Sequence, residues 1–116
     1  MAALSTQNLV AAGTKPTMVV AAASDTAEVG SGVNTFAVYK NVGATPVNVT
    51  VVVPGNNSYG SANPDPTYAL ADGSGTPTWR WIPLRKEYDA ADGTGRCTLQ
   101  LDTPSADVTV AIVRMG

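Results

Sequence analysis

Beyond residue 16 the hydrophobic and polar positions alternate with a period of two, the spacing of half-buried β-strands rather than of helices. The clearest run is VNVTVVV (47–53), which puts Val47, Val49, Val51 and Val53 on one face and Asn48 and Thr50 on the other. NTFAVYK (34–40) separates Phe36 and Val38 from Ala37 and Tyr39, and TWRWIPL (78–84) separates Trp79 and Trp81 from Arg80 and Ile82. Pro83 lacks an N–H for a ladder hydrogen bond, which predicts an edge strand or a strand end there. RCTLQLD (96–102) directs Cys97, Leu99 and Leu101 inward, and DVTVAIVR (107–114) does the same with Val108, Val110 and Ile112. TMVVAAA (17–23) predicts a further strand, broken by the polar SDTAEVGSG (24–32).

Between these runs lie GATP (43–46), Pro54-Gly55 and TPSA (103–106), where Gly supplies positive φ and Pro fixes its own. The Pro- and Gly-rich stretch 54–77 reads as one long loop, or as two turns around a short strand at Thr67–Leu70. A loop of that length in a small domain predicts an interaction surface. Residues 1–16 show only weak helical spacing at Leu4, Leu9 and Val10, closed by Gly13 and Pro16, too few anchors for a free helix. The expectation is therefore an all-β chain. A small antiparallel β-sandwich of six or seven strands, immunoglobulin-like or jelly-roll, would occupy residues 17–116, behind an extended N-terminal arm over residues 1–16 that takes its order from a partner.

Composition sharpens this picture. The 116 residues suit one domain. Charged residues are only 14% and apolar ones 44%, so the polar surface has to come from Thr, Ser, Asn and Gly. That suits a subunit whose faces are covered by neighbours. A net charge of −2 argues against direct binding of nucleic acid through phosphates. The chain has no histidine and one cysteine, which excludes Ser-His-Asp and Cys-His catalysis, His-containing zinc sites and an internal disulfide. The longest apolar stretches, 18–23 and 49–54, are far shorter than a membrane-spanning helix, and the N-terminus does not read as a secretory signal, so synthesis in the cytoplasm is expected.

Candidate chemistry is sparse. ADGSG (71–75) and ADGTG (91–95) match at a spacing of 20 and could offer oxygens to calcium, but each brings one carboxylate, and Asp-Gly turns explain both. Asp89 and Asp92 beside Glu87 sit next to Arg85 and Lys86, a solvated charge cluster rather than an acid–base pair. Trp79 and Trp81 around Arg80 fit either a filled core or a protein interface. Cys97, alternating with leucines, reads as a small core residue. No catalytic residue, cofactor or metal ligand is expected.

The order of segments carries a resemblance. Gly13-Thr14-Lys15-Pro16-Thr17 leads into an Ala-rich strand, followed by a polar turn with Asp25. NTFAVYKNVGATPVNVTVVVP (34–54), IPLRKEYDAADGTG (82–95) and a closing Thr/Val strand, DVTVAIVRMG (107–116), complete the pattern. Across residues 13–116 the chain resembles small β-sandwich virion proteins of tailed bacteriophages, some of which are capsid decoration (cement) proteins. The resemblance implies a structural protein, not an enzyme, located on the capsid surface of the virion. It would bind the outer face of the major capsid lattice and copies of itself, as a trimer, with no nucleic-acid or membrane partner. A tail or head–tail connector component is the second expectation, and a carbohydrate- or host-surface-binding module using Trp79, Trp81 and Tyr68 the third. The residues expected at a protein interface are Tyr59, Tyr68, Arg80, Arg85 and Tyr88, since Tyr and Arg combine large contact area with defined hydrogen bonding.

Overall fold

Ten strands pair in two sheets in this computed structural model, which describes residues 2–10, 13, 16–30, 33–55, 59–61, 65–88, 95–103 and 105–115. They are β1 (Ala2–Ala3), β2 (Thr6–Leu9), β3 (Val19–Val20), β4 (Ser24–Glu28), β5 (Thr35–Asn41), β6 (Val47–Val51), β7 (Thr67–Leu70), β8 (Thr78–Pro83), β9 (Arg96–Leu101) and β10 (Val108–Met115). Sheet A runs β1-β4-β9-β6-β7 and sheet B runs β2-β10-β5-β8, with β3 sharing the free edge of β10. Among the described residues a single 3₁₀ turn, Lys86–Tyr88, interrupts the strands.

The pairing from β3 onward is nested. β3 pairs β10, β4 pairs β9, β5 pairs β8 and β6 pairs β7, all antiparallel. This is one long hairpin folded over on itself, the strand order of a jelly roll, and it sets aside the immunoglobulin-like alternative. The core between the sheets is valine-rich, as β-branched side chains suit a pleated interior. Val47, Val49, Val51, Cys97, Leu99 and Leu101 from sheet A face Ala37, Tyr39, Ile82, Val108, Val110 and Ile112 from sheet B.

Two expectations from the sequence change here. SDTAEVGSG was expected to break the preceding strand, yet Ser24–Glu28 is itself a strand whose Asp25 and Ala27 point inward, with Val29 buried just beyond its end. Its small residues fit against β9, and the Asp25 carboxylate accepts the Ala22 N–H at 2.9 Å to close the β3–β4 turn. The N-terminal arm is also not free of the sandwich. β1 pairs β4 in parallel, β2 pairs β10 in parallel, and Leu4 between them is buried in the core. Leu4 N–H donates to Thr26 O at 2.8 Å, Arg96 Nη1 donates to Leu4 O at 3.4 Å and Thr6 Oγ1 donates to Glu28 at 3.1 Å. The order comes from hydrogen bonds to distant strands, which local spacing does not reveal.

Past β2 the chain turns back. The Gln7 amide bonds both the N–H and the carbonyl of Thr17, at 2.8 and 2.9 Å, as a neighbouring strand would. This fixes Pro16–Met18 as a strap against the outer face of sheet B.

At one end of the sandwich the loops interlock around Asn41, which is 1% exposed. Its Nδ2 donates to Thr45 O at 3.0 Å and to Ala71 O at 3.2 Å, and its Oδ1 accepts the Gly43 N–H at 2.9 Å. Gly73 N–H donates to Gly43 O at 2.8 Å, with Gly73 pressed against the Asn41 backbone. ADGSG is thus the crossing from sheet A to sheet B rather than a two-residue hairpin turn, and its first glycine answers to close packing. Ser74 donates through N–H and hydroxyl to Asp72 Oδ1, both at 2.8 Å, and these bonds hold the carboxyl below its ordinary pKa. Within ADGTG, residues 91–94 lie outside the described residues, as do Asp89 and Asp92 of the acidic cluster.

Candidate interaction site

Alternation along β8 and β5 divides their side chains between two surfaces. Ala37, Tyr39 and Ile82 enter the core, so Phe36, Val38, Lys40, Trp79, Trp81 and Pro83 stand on the outer face of sheet B. The two tryptophans, for which a core and an interface were both open, are 50% and 55% exposed. They are on the surface.

Register sets what each ring meets. Trp79 lies directly opposite Lys40, whose Nζ sits 4.9 Å from the ring centroid, a cation–π contact. Trp81 lies opposite Val38 and meets Phe36 edge-on, with centroids 6.3 Å apart at 65°. The next strand, β10, adds Ala111 and Val113 opposite Val38 and Phe36. Val38, Ala111 and Val113 are buried although they face away from the core, and Val38 lies between the strap and the indoles. A groove of about 360 Å³ remains between the strap and the indoles, lined by Leu9, Pro16, Met18, Val38, Lys40, Trp79 and Trp81. Met115, directly opposite Leu9 in the β2–β10 ladder, is exposed as well, so apolar surface continues beyond the groove on that side. A second groove of about 560 Å³ lies where β2 and β3 approach each other along β10, lined mainly by Leu4, Val19, Val20, Val110 and Ile112.

The five expected interface residues are not one patch. Tyr59 is 92% exposed and Arg85 is exposed, on the loops at the end opposite Asn41. Tyr88 follows Arg85 but, contrary to its expected place on a surface, is 7% exposed and packs in the core. The 3₁₀ turn, closed by Tyr88 N–H donating to Arg85 O, swings that ring under the sandwich. Tyr68 is half-buried on the inner face of β7 and packs against the core. It therefore shares no surface with Trp79 and Trp81, and the three do not form a joint platform. Arg80 is exposed at the sandwich edge, where Nε donates to Ala69 O at 2.9 Å and links β8 to β7 across the sheets.

Ionisable groups elsewhere serve the fold. Glu28 meets Arg114 at 3.4 Å and Arg96 at 3.9 Å, while Arg114 Nε donates to Thr35 Oγ1 at 3.3 Å. Burial, with the nearby Asp25 and Cys97 adding to it, pushes the Tyr39 phenol well above its usual range. Among the described residues, no three carboxylate or thiol side chains gather as metal ligands would, and no helix is long and apolar enough to cross a membrane. No known protein family, curated protein or solved structure matches the chain.

Sequence reasoning placed Trp79 and Trp81 on a common face but could not orient it. Phe36, Val38 and Lys40 were not expected at a site. The signal was available in two facts together: both faces of NTFAVYK are apolar, and Lys40 ends one of them.

Proposed function

We propose that this chain is a structural virion protein of a tailed bacteriophage, a capsid decoration protein that binds and stabilises the outer face of the major capsid lattice. The observation that carries the reading is the outer face of sheet B, where Trp79 and Trp81 stand half exposed among apolar neighbours, with Lys40 the one charged residue among the described residues that line the groove. A contiguous apolar patch on a small domain marks an interaction surface, and tryptophan is a preferred anchor of such surfaces. The segment-order resemblance supports a virion role, and a jelly roll is a fold used in viral shells. Fold alone does not assign function, so the weight rests on the face. Low charge fits attachment by apolar burial, and a repeating lattice lets modest contacts add when subunits are joined. The partners under this reading are the major capsid protein and further copies of the chain.

The test is to add purified protein to capsids lacking it and measure occupancy by quantitative gel and particle reconstruction. Occupancy comparable to that of the major capsid protein, nearly unchanged up to about 0.5 M salt because exposed ion pairs contribute only about 0–1 kcal/mol each, is the expected result. Trp81→Ala should lower it. A few copies located on the tail would replace the decoration role by a tail role. Release of most of the protein by moderate salt would show that charge, not apolar burial, holds it.

A further inference from the structure

We infer that the groove between the strap and the indoles is the docking site for an extended segment of a partner protein in which an apolar side chain is followed closely by a carboxylate. The groove supplies three things. Its floor and walls are apolar: Val38 below, Leu9 and Met18 on the strap side, Trp79 and Trp81 opposite. It already holds extended, proline-bearing backbone, since Pro16–Met18 lies against the same sheet face, fixed by the Gln7–Thr17 bonds. At its rim stands Lys40, held by its contact with Trp79 and paired with no carboxylate among the described residues.

Charge and hydrogen-bonding capacity choose among occupants. A saccharide would bring many hydroxyls to a wall whose side chains, among the described residues, offer only the donors of Lys40 and the two indoles and no acceptor, and hydroxyls left unpaired weaken binding. Nucleic acid would meet one cation among the described lining residues, on a chain whose net charge is −2. A second copy using the same face would be isologous and would bring Lys40 towards Lys40 with no acid in the groove to offset it. An apolar side chain with a nearby carboxylate fills the groove and neutralises Lys40 while the ammonium keeps its place over Trp79. This deepens the proposed virion role and rests on it only for where such a partner is found.

Trp79 and Trp81 are the only tryptophans of the chain, so intrinsic emission reports on this groove directly. The probe is a panel of acetylated, amidated peptides in which Leu, Ile or Phe precedes Glu by one, two or three positions, each with a Gln counterpart. At low salt the expected result is a saturable blue shift, with the best Glu peptide bound up to about fivefold more tightly than its Gln twin. Lys40→Met should abolish that preference while retaining weaker binding and an unchanged circular dichroism spectrum. The inference is overturned by no saturable shift from any peptide, by equal affinity for Glu and Gln peptides, or by a shift with an oligosaccharide but no peptide. It is equally overturned by a shift that depends on protein concentration alone, which would report self-association. A chain that decorates capsids yet ignores every peptide would sink the groove and leave the virion role standing. Peptide binding without particle binding would do the reverse.

Discussion

Replacing Gly73 by alanine tests the interlocked loops with a single methyl group. A Cβ at this position would overlap the carbonyl oxygen of Asn41 and lie 2.7 Å from its carbon and 3.3 Å from Thr78 N. These neighbours are backbone, so no side chain can swing aside. Either the 71–77 crossing or the end of β5 has to move. Overpacking of this kind typically costs about 1–3 kcal/mol. The displacement also weakens the bonds from Gly73 N–H to Gly43 O and from Asn41 Nδ2 to Ala71 O, each worth about 1 kcal/mol. Lower entropy of the unfolded chain returns about 0.4–1 kcal/mol. The net loss is about 2–4 kcal/mol, a lowering of Tm by roughly 8–16 °C for a domain of this size. Gly75, two residues on, has nothing within 4 Å of its Cβ position, so Gly75→Ala in the same loop should be neutral or slightly stabilising. Scanning calorimetry and urea unfolding of both variants give the answer. A Gly73→Ala protein melting within about 2 °C of the parent, or equal damage from both, would refute the close packing of ADGSG on Asn41.

Leu4→Ala should destabilise by about 2 kcal/mol or more in urea, because Leu4 fills the core from between two edge strands; an unchanged midpoint would mean that the N-terminal strands are not part of the sandwich. Stability should hold to about pH 10 and then fall. Folded Tyr39 keeps its proton above the ordinary value of 10.0, while in the unfolded chain it ionises, so rising pH favours unfolding by up to about 1.4 kcal/mol per pH unit. Tyr39→Phe should remove that part of the alkaline decline in urea midpoints measured from pH 8 to 11.5. Arg80→Met retains the aliphatic stem but loses the bond to Ala69 O, so about 0.5–1 kcal/mol should be lost and hydrogen exchange in β7 should quicken; unchanged exchange would deny Arg80 its linking role.

What the alternation of residues made legible was each strand with a plainly apolar inner row. Val47–Val51, Cys97–Leu101 and Val108–Ile112 lie as their spacing predicts, as do the short strand Thr67–Leu70 and the edge position of Pro83. β4 was hidden because its inward positions are Asp25 and Ala27, a capped carboxylate and a methyl group, which look like a turn when read locally. β1 and β2 were hidden for a different reason: their partners lie far along the chain in β4 and β10. The candidate site was half legible. Trp79 and Trp81 were singled out, but orientation depends on which row the core claims, and sheet B carries apolar side chains on both faces. Burial of Tyr88 depends on a 3₁₀ turn that the charged run 85–88 does not announce.

Nested pairing also gives the polypeptide a history. The innermost partners, β6 and β7, are joined directly by residues 52–66, whereas β3 must find β10 across nearly the whole sequence. Loop closure becomes harder with length, so zipping from the inside outwards lets each pair shorten the gap facing the next. Synthesis supplies the partners in that same order, with β10 last. β10 lies between β5 on one side and β2 and β3 on the other, so sheet B, though its β5–β8 pair can form earlier, cannot be completed until β10 has left the ribosome. Until then a nascent chain carries unpaired apolar strands, a state open to aggregation. Non-local pairing of this kind folds slowly, and productive yield should depend on how soon β10 arrives.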